Sequence, residues 1–257
     1  MPKDGQSVEI SHERVPLVHG YQVPPHRHRR GHLVYPATGV LSINTEAGTW
    51  IAPATRLAWT PAGFEHQHRA YGRTDMRVLF LPAGLAARLP NRPAVFAAST
   101  LAREAMLRLT AGVGVSRSPA AQARLRAVLV DELLLASEEP LHLPEPRDDR
   151  LRALSDILHD DPANDATLTE LGQRVGAGKR TLTRLFHDEL GMSFRQWRTQ
   201  FRLHHALMLL AAGHSVTGTA AACGWANPTS FIDAFTATLG QTPGHYRDHS
   251  SLDQASA

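Results

Sequence analysis

The sequence predicts an α+β chain: an N-terminal β-barrel followed by helices, then an all-α C-terminal domain in which two helix-turn-helix motifs are joined by a long helix. Three observations carry this. Short alternating apolar runs separated by turn residues fill the first part of the chain, a proline-rich break follows, and the last part writes one helical pattern twice. The expected boundaries are residues 1–137 for the β-rich domain, 138–147 for a linker, 148–250 for the helical domain and 251–257 for a flexible tail.

Up to about residue 82, runs such as Gly39-Val-Leu-Ser-Ile43 and Met76-Arg-Val-Leu-Phe-Leu81 alternate with the turn signals Ala47-Gly48, Pro53 and Pro61-Ala-Gly63. Such spacing suits a small barrel or a double-sheet sandwich. From 83 to 137 the pattern becomes helical, with Ser118-Pro119 as a start signal. There Leu125, Leu129 and Leu133 form a stripe that serves either as core or as the seam of a homodimer. Residues 138–146 hold three prolines and no periodicity, the composition of a linker.

In the last part, Leu168–Gly176 aligns with Val216–Gly224. After a one-residue slip, Leu182, Phe186, Gly191, Trp197 and Arg198 align with Phe231, Phe235, Gly240, Tyr246 and Arg247. Each copy reads as a short helix, a turn at Gly176 or Gly224, and a second helix buried through an i, i+4 pair. In helix-turn-helix geometry the first helix braces and the second is presented to a DNA groove. Phe194 to about Ala212 reads as one connecting helix with Trp197, Phe201, His204, Leu207 and Met208 in its apolar stripe. It would fix the separation of the two readers. Successive major-groove segments lie about 34 Å apart, so a shorter rod would require bent DNA.

Composition bounds the function classes. The chain has 257 residues, 42% of them apolar, with a net charge of +3. No stretch approaches the roughly eighteen apolar residues of a membrane span, and Met-Pro-Lys-Asp-Gly-Gln lacks the apolar run of a secretory signal. A cytoplasmic protein without a membrane partner is the expectation. The single cysteine, Cys223, excludes an internal disulfide and sits among alanines as a small buried residue. Charge is informative by its distribution: Arg174, Lys179, Arg180, Arg184, Arg195, Arg198 and Arg202 face only Asp188 and Glu189 in their stretch, just after an acidic run. A polyanion would dock there, releasing counterions.

The β-rich part carries a histidine pattern. His26 and His28 flank one residue, His32 follows, and Pro61-Ala-Gly-Phe-Glu-His66 ends in a fourth histidine. This spacing resembles the two motifs of the cupin fold, in which such residues converge inside a barrel. His26 and His28, two apart on a strand, share a face. The pattern departs from the resemblance at His32, where metal-binding cupins usually have glutamate, and at Thr55, where a glycine is usual. His68 is placed outside the site, one face away from His66. Neutral imidazoles at His26, His28, His32 and His66 would suit nickel, zinc, copper or iron and would hold magnesium or calcium poorly. An organic effector, or a relic pocket holding nothing, are the competing readings.

Arg180-Thr-Leu-Thr-Arg-Leu-Phe186, Glu189-Leu-Gly-Met-Ser-Phe194, Ala220-Ala-Ala-Cys-Gly-Trp225 and Gly240-Gln-Thr-Pro243 with Tyr246-Arg247 occur in order. Together they resemble the DNA-binding domain of the AraC/XylS transcriptional regulators over residues 150 to 248. Many members carry an N-terminal cupin-like effector and dimerisation domain, and this chain's β-rich half is most similar to the NimR-type subgroup. The resemblance implies that Arg180, Thr183 and Arg184 reach bases. The free face of that helix also carries Lys179 and His187. Arginine pairs bidentately with guanine and threonine touches a thymine methyl. Gly178 stands where the family usually caps with serine.

In the second copy Asn227 caps a helix opened by Pro228, and Thr229, Ser230 and Asp233 point outward. No lysine or arginine occurs from Val216 to Tyr246. A carboxylate at Asp233 is repelled by phosphate unless it accepts from a cytosine amino group. Uneven use of the two copies is therefore expected, the first dominating affinity.

The sequence thus points to a regulator, not an enzyme, with double-stranded DNA, an effector, a second copy of itself and, for an activator, RNA polymerase as partners. A metal-dependent cupin dioxygenase or isomerase with a helical appendage is the alternative. It lacks an acid/base pair, Glu65 being the one acidic neighbour in the motif. A pair of hairpins binding protein is a third reading, opposed by the arginine-rich face.

Overall fold

The computed structural model describes residues 12–111, 118–138 and 141–247; the expected tail at 251–257 lies outside them. The chain runs β1 (His12–Leu17), β2 (Gln22–His26), β3 (His32–Pro36), β4 (Val40–Thr45), β5 (Gly48–Pro53), β6 (Arg56–Thr60), β7 (His66–Tyr71) and β8 (Thr74–Phe80). Then come the short α1 (Ala83–Ala86), β9 (Ala94–Ala97), α2 (Thr100–Leu109), α3 (Pro119–Leu135) and β10 (His142–Pro144). The helical part holds α4 (Asp149–Asp160), α5 (Leu168–Arg174), α6 (Lys179–Leu190), α7 (Phe194–Ala211), α8 (Val216–Ala222) and α9 (Pro228–Leu239).

The expected barrel does not close. The strands form two separate antiparallel five-stranded sheets, ordered β1-β8-β3-β6-β9 and β10-β5-β4-β7-β2. The chain crosses between sheets repeatedly, and the edge strands of one do not pair with those of the other. Alternating apolar residues specify only that one face of a strand is buried, a condition that sandwich and barrel both meet. In the first sheet the side chains of Leu33, Tyr35, Leu57 and Leu79 join a cluster with α2 and α3, while Val34, Ala58 and Val78, one residue out of phase, join a cluster with the second sheet.

Two short strands lie where the sequence reads otherwise. Within the helical stretch, Ala94-Val-Phe-Ala97 pairs with β6 at a sheet edge. Within the linker, His142-Leu-Pro144 pairs with β5. Both are edge strands, and an edge tolerates Pro144, which has no amide hydrogen to donate. The leucine stripe of α3 is core: Leu129 and Leu133 are buried and Leu125 packs beside them.

The helical part shows the repeat as two hairpins, α5–α6 and α8–α9, separated by α7. Thr167 and Glu170 form a reciprocal capping box before α5, and Ser193 with Gln196 forms another before α7. α6 and α9 both end on a left-handed glycine, Gly191 at φ 68° and Gly240 at φ 72°. The two hairpins have different cores. α4, α5 and α6 share a cluster with Trp197 and Phe201 of α7, drawing only Leu143 from the strands. Phe231, Phe235 and Tyr246 instead belong to a cluster that continues through Leu203, Leu207 and Leu210 of α7 into the sandwich. Arg56 of β6 donates to the carbonyl of Leu239 at the end of α9 at 3.1 Å.

Candidate nucleic-acid interface and histidine cluster

α6 buries Leu182, Phe186 and Leu190. The opposite face presents Lys179, Arg180, Thr183, Arg184 and His187, all exposed and spaced three or four apart. Thr183 spends its hydroxyl proton on the Lys179 carbonyl at 2.9 Å. Gly178 begins the helix with no side-chain cap, leaving the first amides of α6 without that internal acceptor. On α9, the Asn227 side chain accepts from the Ser230 amide at 2.8 Å. Thr229, Ser230 and Asp233 are exposed there. The fold thus groups the expected contact residues of each copy on one face of its own helix.

Part of the basic excess read from the sequence serves the fold. Arg198 donates to the Ala166 carbonyl and stacks on Phe194 at 4.2 Å, and burial lowers its pKa to about 10. Arg202 donates to the Asn164 carbonyl at 2.9 Å. These two guanidinium groups pin the loop before α5. Glu189 accepts the backbone amide of Asp148 at 3.0 Å, fixing the start of α4. The exposed cations of this region are Arg174, Lys179, Arg180, Arg184 and Arg195.

Between the sheets, His26, His28, His32 and His66 converge. Ring centroids lie 4.8 Å apart for His26 and His28, 4.3 Å for His26 and His66, 4.7 Å for His28 and His32, and 4.8 Å for His32 and His66. His68 joins them, 5.1 Å from His66, contrary to its expected exclusion. Residues two apart on a strand point the same way, so His66 and His68 share the inward face of β7. That parity was the signal available in the sequence.

Two members are held in one tautomer by their own backbone. His26 Nδ1 donates to the Pro24 carbonyl at 2.7 Å and His66 Nδ1 to the Phe64 carbonyl at 2.9 Å, which turns each Nε2 lone pair away from that bond. His66 Nε2, both nitrogens of His32 and His68 Nδ1 are buried with no hydrogen-bond partner among the described residues. Burial, reinforced by the neighbouring imidazoles, holds His32 well below its ordinary pKa, His66 at about 4 and His68 at about 3. Burial and His26 also lower His28. His28, His32, His66 and His68 are thereby held toward the neutral form, as nitrogen donors. Glu65 is turned to Arg27 at 3.1 Å instead. Two trios, His26/His66/His68 and His28/His32/His66, each bring their ligand atoms within 4.8 Å of one another.

The outward face of the same sheet, through Ser42, Asn44, Gln67 and Arg69, lines a cavity of about 310 Å³ closed by Phe201, His204, His205 and Met208 of α7. Burial holds His204 at about pKa 3 and His205 at about 4.

Residues 171–249 match a helix-turn-helix domain family. The chain is 32% identical over 223 residues to the HTH-type transcriptional regulator NimR of Escherichia coli (strain K12), a match that covers 87% of this chain and 81% of that protein. It is 32% identical over 140 residues to the transcriptional activator NphR of Rhodococcus sp, covering 54% of this chain and 41% of that protein. Among solved structures, ToxT from Vibrio cholerae aligns over 93% of this chain and 97% of that one, at 8% identity and a TM-score of 0.41. A helix-turn-helix domain joined to a β-rich domain, matched over most of its length by a named regulator, defines a DNA-binding transcriptional regulator rather than an enzyme. Within that class, the chain belongs to the AraC family.

Proposed function

We propose that this regulator reads DNA chiefly through α6 and adjusts that reading to a divalent transition metal held in its β-sandwich. The observation that carries the first half is the stripe Lys179, Arg180, Thr183, Arg184 and His187, exposed along one helix whose other face is core. Arg180 and Arg184 pair with base edges or phosphates, Thr183 offers its methyl, and Lys179 and His187 meet the backbone. α9 is the second reader. Asn227, Thr229, Ser230 and Asp233 give it position and modest selectivity, because no cation on that hairpin attracts phosphate. The working unit is a homodimer on double-stranded DNA, with RNA polymerase as a further partner where the protein activates.

The sandwich is the cupin-like effector domain, and His26, His28, His32 and His66 are its ligands. The donor set fits nickel, zinc, copper or iron. It is all nitrogen and includes imidazoles whose far nitrogen is fixed by a backbone carbonyl, the arrangement that orients metal-bound histidine. Bound there, a metal would supply a crosslink between the strands that carry these histidines and would favour one arrangement of sandwich and helices.

Anisotropy titrations with the promoter region of the protein's own operon test the DNA reading. Arg180→Ala and Arg184→Ala should each weaken binding by about 1–3 kcal/mol where a base contact is lost. A lost phosphate contact should instead flatten the salt dependence by about 0.9 in log–log slope. Unchanged affinity and slope in both folded variants would remove α6 as the reader.

A further inference from the structure

His66 belongs to both histidine trios, yet it has one lone pair to give. Its Nδ1 is occupied by the Phe64 carbonyl, so only Nε2 is open. A single lone pair serves one ion at a time. The trios also differ in what they tie together. His28, His32 and His66 bring β3 of one sheet to β7 of the other, with His28 on the loop before β3. His26, His66 and His68 all lie in the second sheet, on the neighbouring strands β2 and β7, where the pairing slips between Val23 and His26.

We propose that the cluster is a one-ion site with two mutually exclusive positions sharing His66, and that His68 is the ligand that defines the regulatory one. This rests on the metal reading given above. In the first position the ion fastens the two sheets together. In the second it clamps β2 to β7 at the slipped register. β7 is the strand with a stake on both sides: His66 belongs to the cluster, Gln67 and Arg69 face the cavity against α7, and His68, 5.9 Å from His26 and 5.1 Å from His66, also borders that cavity. Tightening β2 onto β7 therefore acts on the wall against which the connecting helix rests, and through it on the spacing of α6 and α9. An ion in the sheet-bridging position holds β7 through His66 alone and does not draw β2 onto it, because His28 and His32 stand on the loop before β3 and on β3 in the other sheet. His68 is 3% exposed and its Nδ1 is buried with no hydrogen-bond partner among the described residues, a polar atom taken out of water without an acceptor or donor in exchange.

The test uses the full chain and zinc ion alone as the probe. Calorimetric titration should give one ion per chain for the wild type. His32→Ala and His68→Ala should each keep one ion, since each removes one position and leaves the other; association constants of exclusive positions add, so equal positions give about a twofold loss in each variant and only the variant that loses the tighter position can fall by about tenfold or more. His66→Ala should lose both. The affinity for promoter DNA should change with zinc in the wild type and in His32→Ala, and should cease to change in His68→Ala. His68→Gln, which preserves volume and polarity, repeats the measurement if the alanine variant fails to fold. Two ions per chain would overturn the exclusivity. A zinc-dependent DNA response that survives in a folded His68 variant would overturn the regulatory role. Absence of zinc binding by the folded wild type would sink the underlying metal reading instead, a separate and recognisable failure.

Discussion

Gly72 tests whether α7 is seated on the sandwich as described. It occupies the turn between β7 and β8 at φ 71°, and a Cβ placed there would lie 2.4 Å from the carbonyl oxygen of Ala211, the last residue of α7. Two costs add in Gly72→Ala. The left-handed backbone costs a residue with a Cβ about 1–2 kcal/mol, and forcing a methyl against a backbone atom costs typically about 1–3 kcal/mol of strain or displacement. Gly20→Ala isolates the first cost, since Gly20 has φ 80° and nothing within 4 Å of its built Cβ. At about 2–4 °C per kcal/mol for a chain of this size, Gly20→Ala should lower Tm by roughly 2–8 °C and Gly72→Ala by roughly 4–20 °C. Differential scanning calorimetry on both variants measures the gap. If Gly72→Ala melts no lower than Gly20→Ala, the connecting helix does not press on that turn, and the joint between the two parts is looser than drawn.

Three further outcomes are expected. The folded chain holds His204 and His205 below the unfolded value of about 6.5, so the unfolded chain takes up protons that the native one refuses. Stability is then complete above about pH 6.5 and falls between about 6.5 and 4, by up to about 1.4 kcal/mol per pH unit for each imidazole. Urea denaturation from pH 5 to 8 should show that slope, reduced in His204→Leu. Gly178 has extended backbone and open space at its Cβ, so Gly178→Ser should add a cap to α6 and stabilise by a few tenths of a kcal/mol, read as a small rise in Tm. Cys223 is buried and its thiol is pushed up to about 12, so Ellman's reagent at pH 8 should leave it unlabelled until urea unfolds the chain.

What could be read from the sequence was what is local. The i, i+4 pairs Leu182/Phe186 and Phe231/Phe235, the Asn227-Pro228 start and the glycines at 191 and 240 each fix one helix or its end by short-range chemistry, and each appears in place. The convergence of His26, His28, His32 and His66 followed from a motif resemblance. His68 was lost to an error of parity that strand geometry would have corrected. Long-range facts were harder. Whether strands close into a barrel depends on partners many residues away, and β9 and β10 are too short for four or three residues to show a period. Arg198 and Arg202 read as part of a basic surface because charge alone does not show that a carbonyl at 166 or 164 lies within reach.

The unequal ownership of the two hairpins has a practical result. α5–α6 rests on a nucleus that takes a single leucine from the strands, whereas α8–α9 is rooted in the same apolar mass as the sandwich and is latched to it by Arg56. Severing the chain near residue 147 would strand Phe231, Phe235 and Tyr246 beside an unclothed side of α7, and such a fragment should be sticky and poorly behaved. Of the two hairpins, one is bolted to the chamber that holds the histidines, while the other reaches it through α7 and Leu143. In the regulatory reading proposed above, a displacement within that chamber would move α8–α9 directly and α5–α6 only through α7.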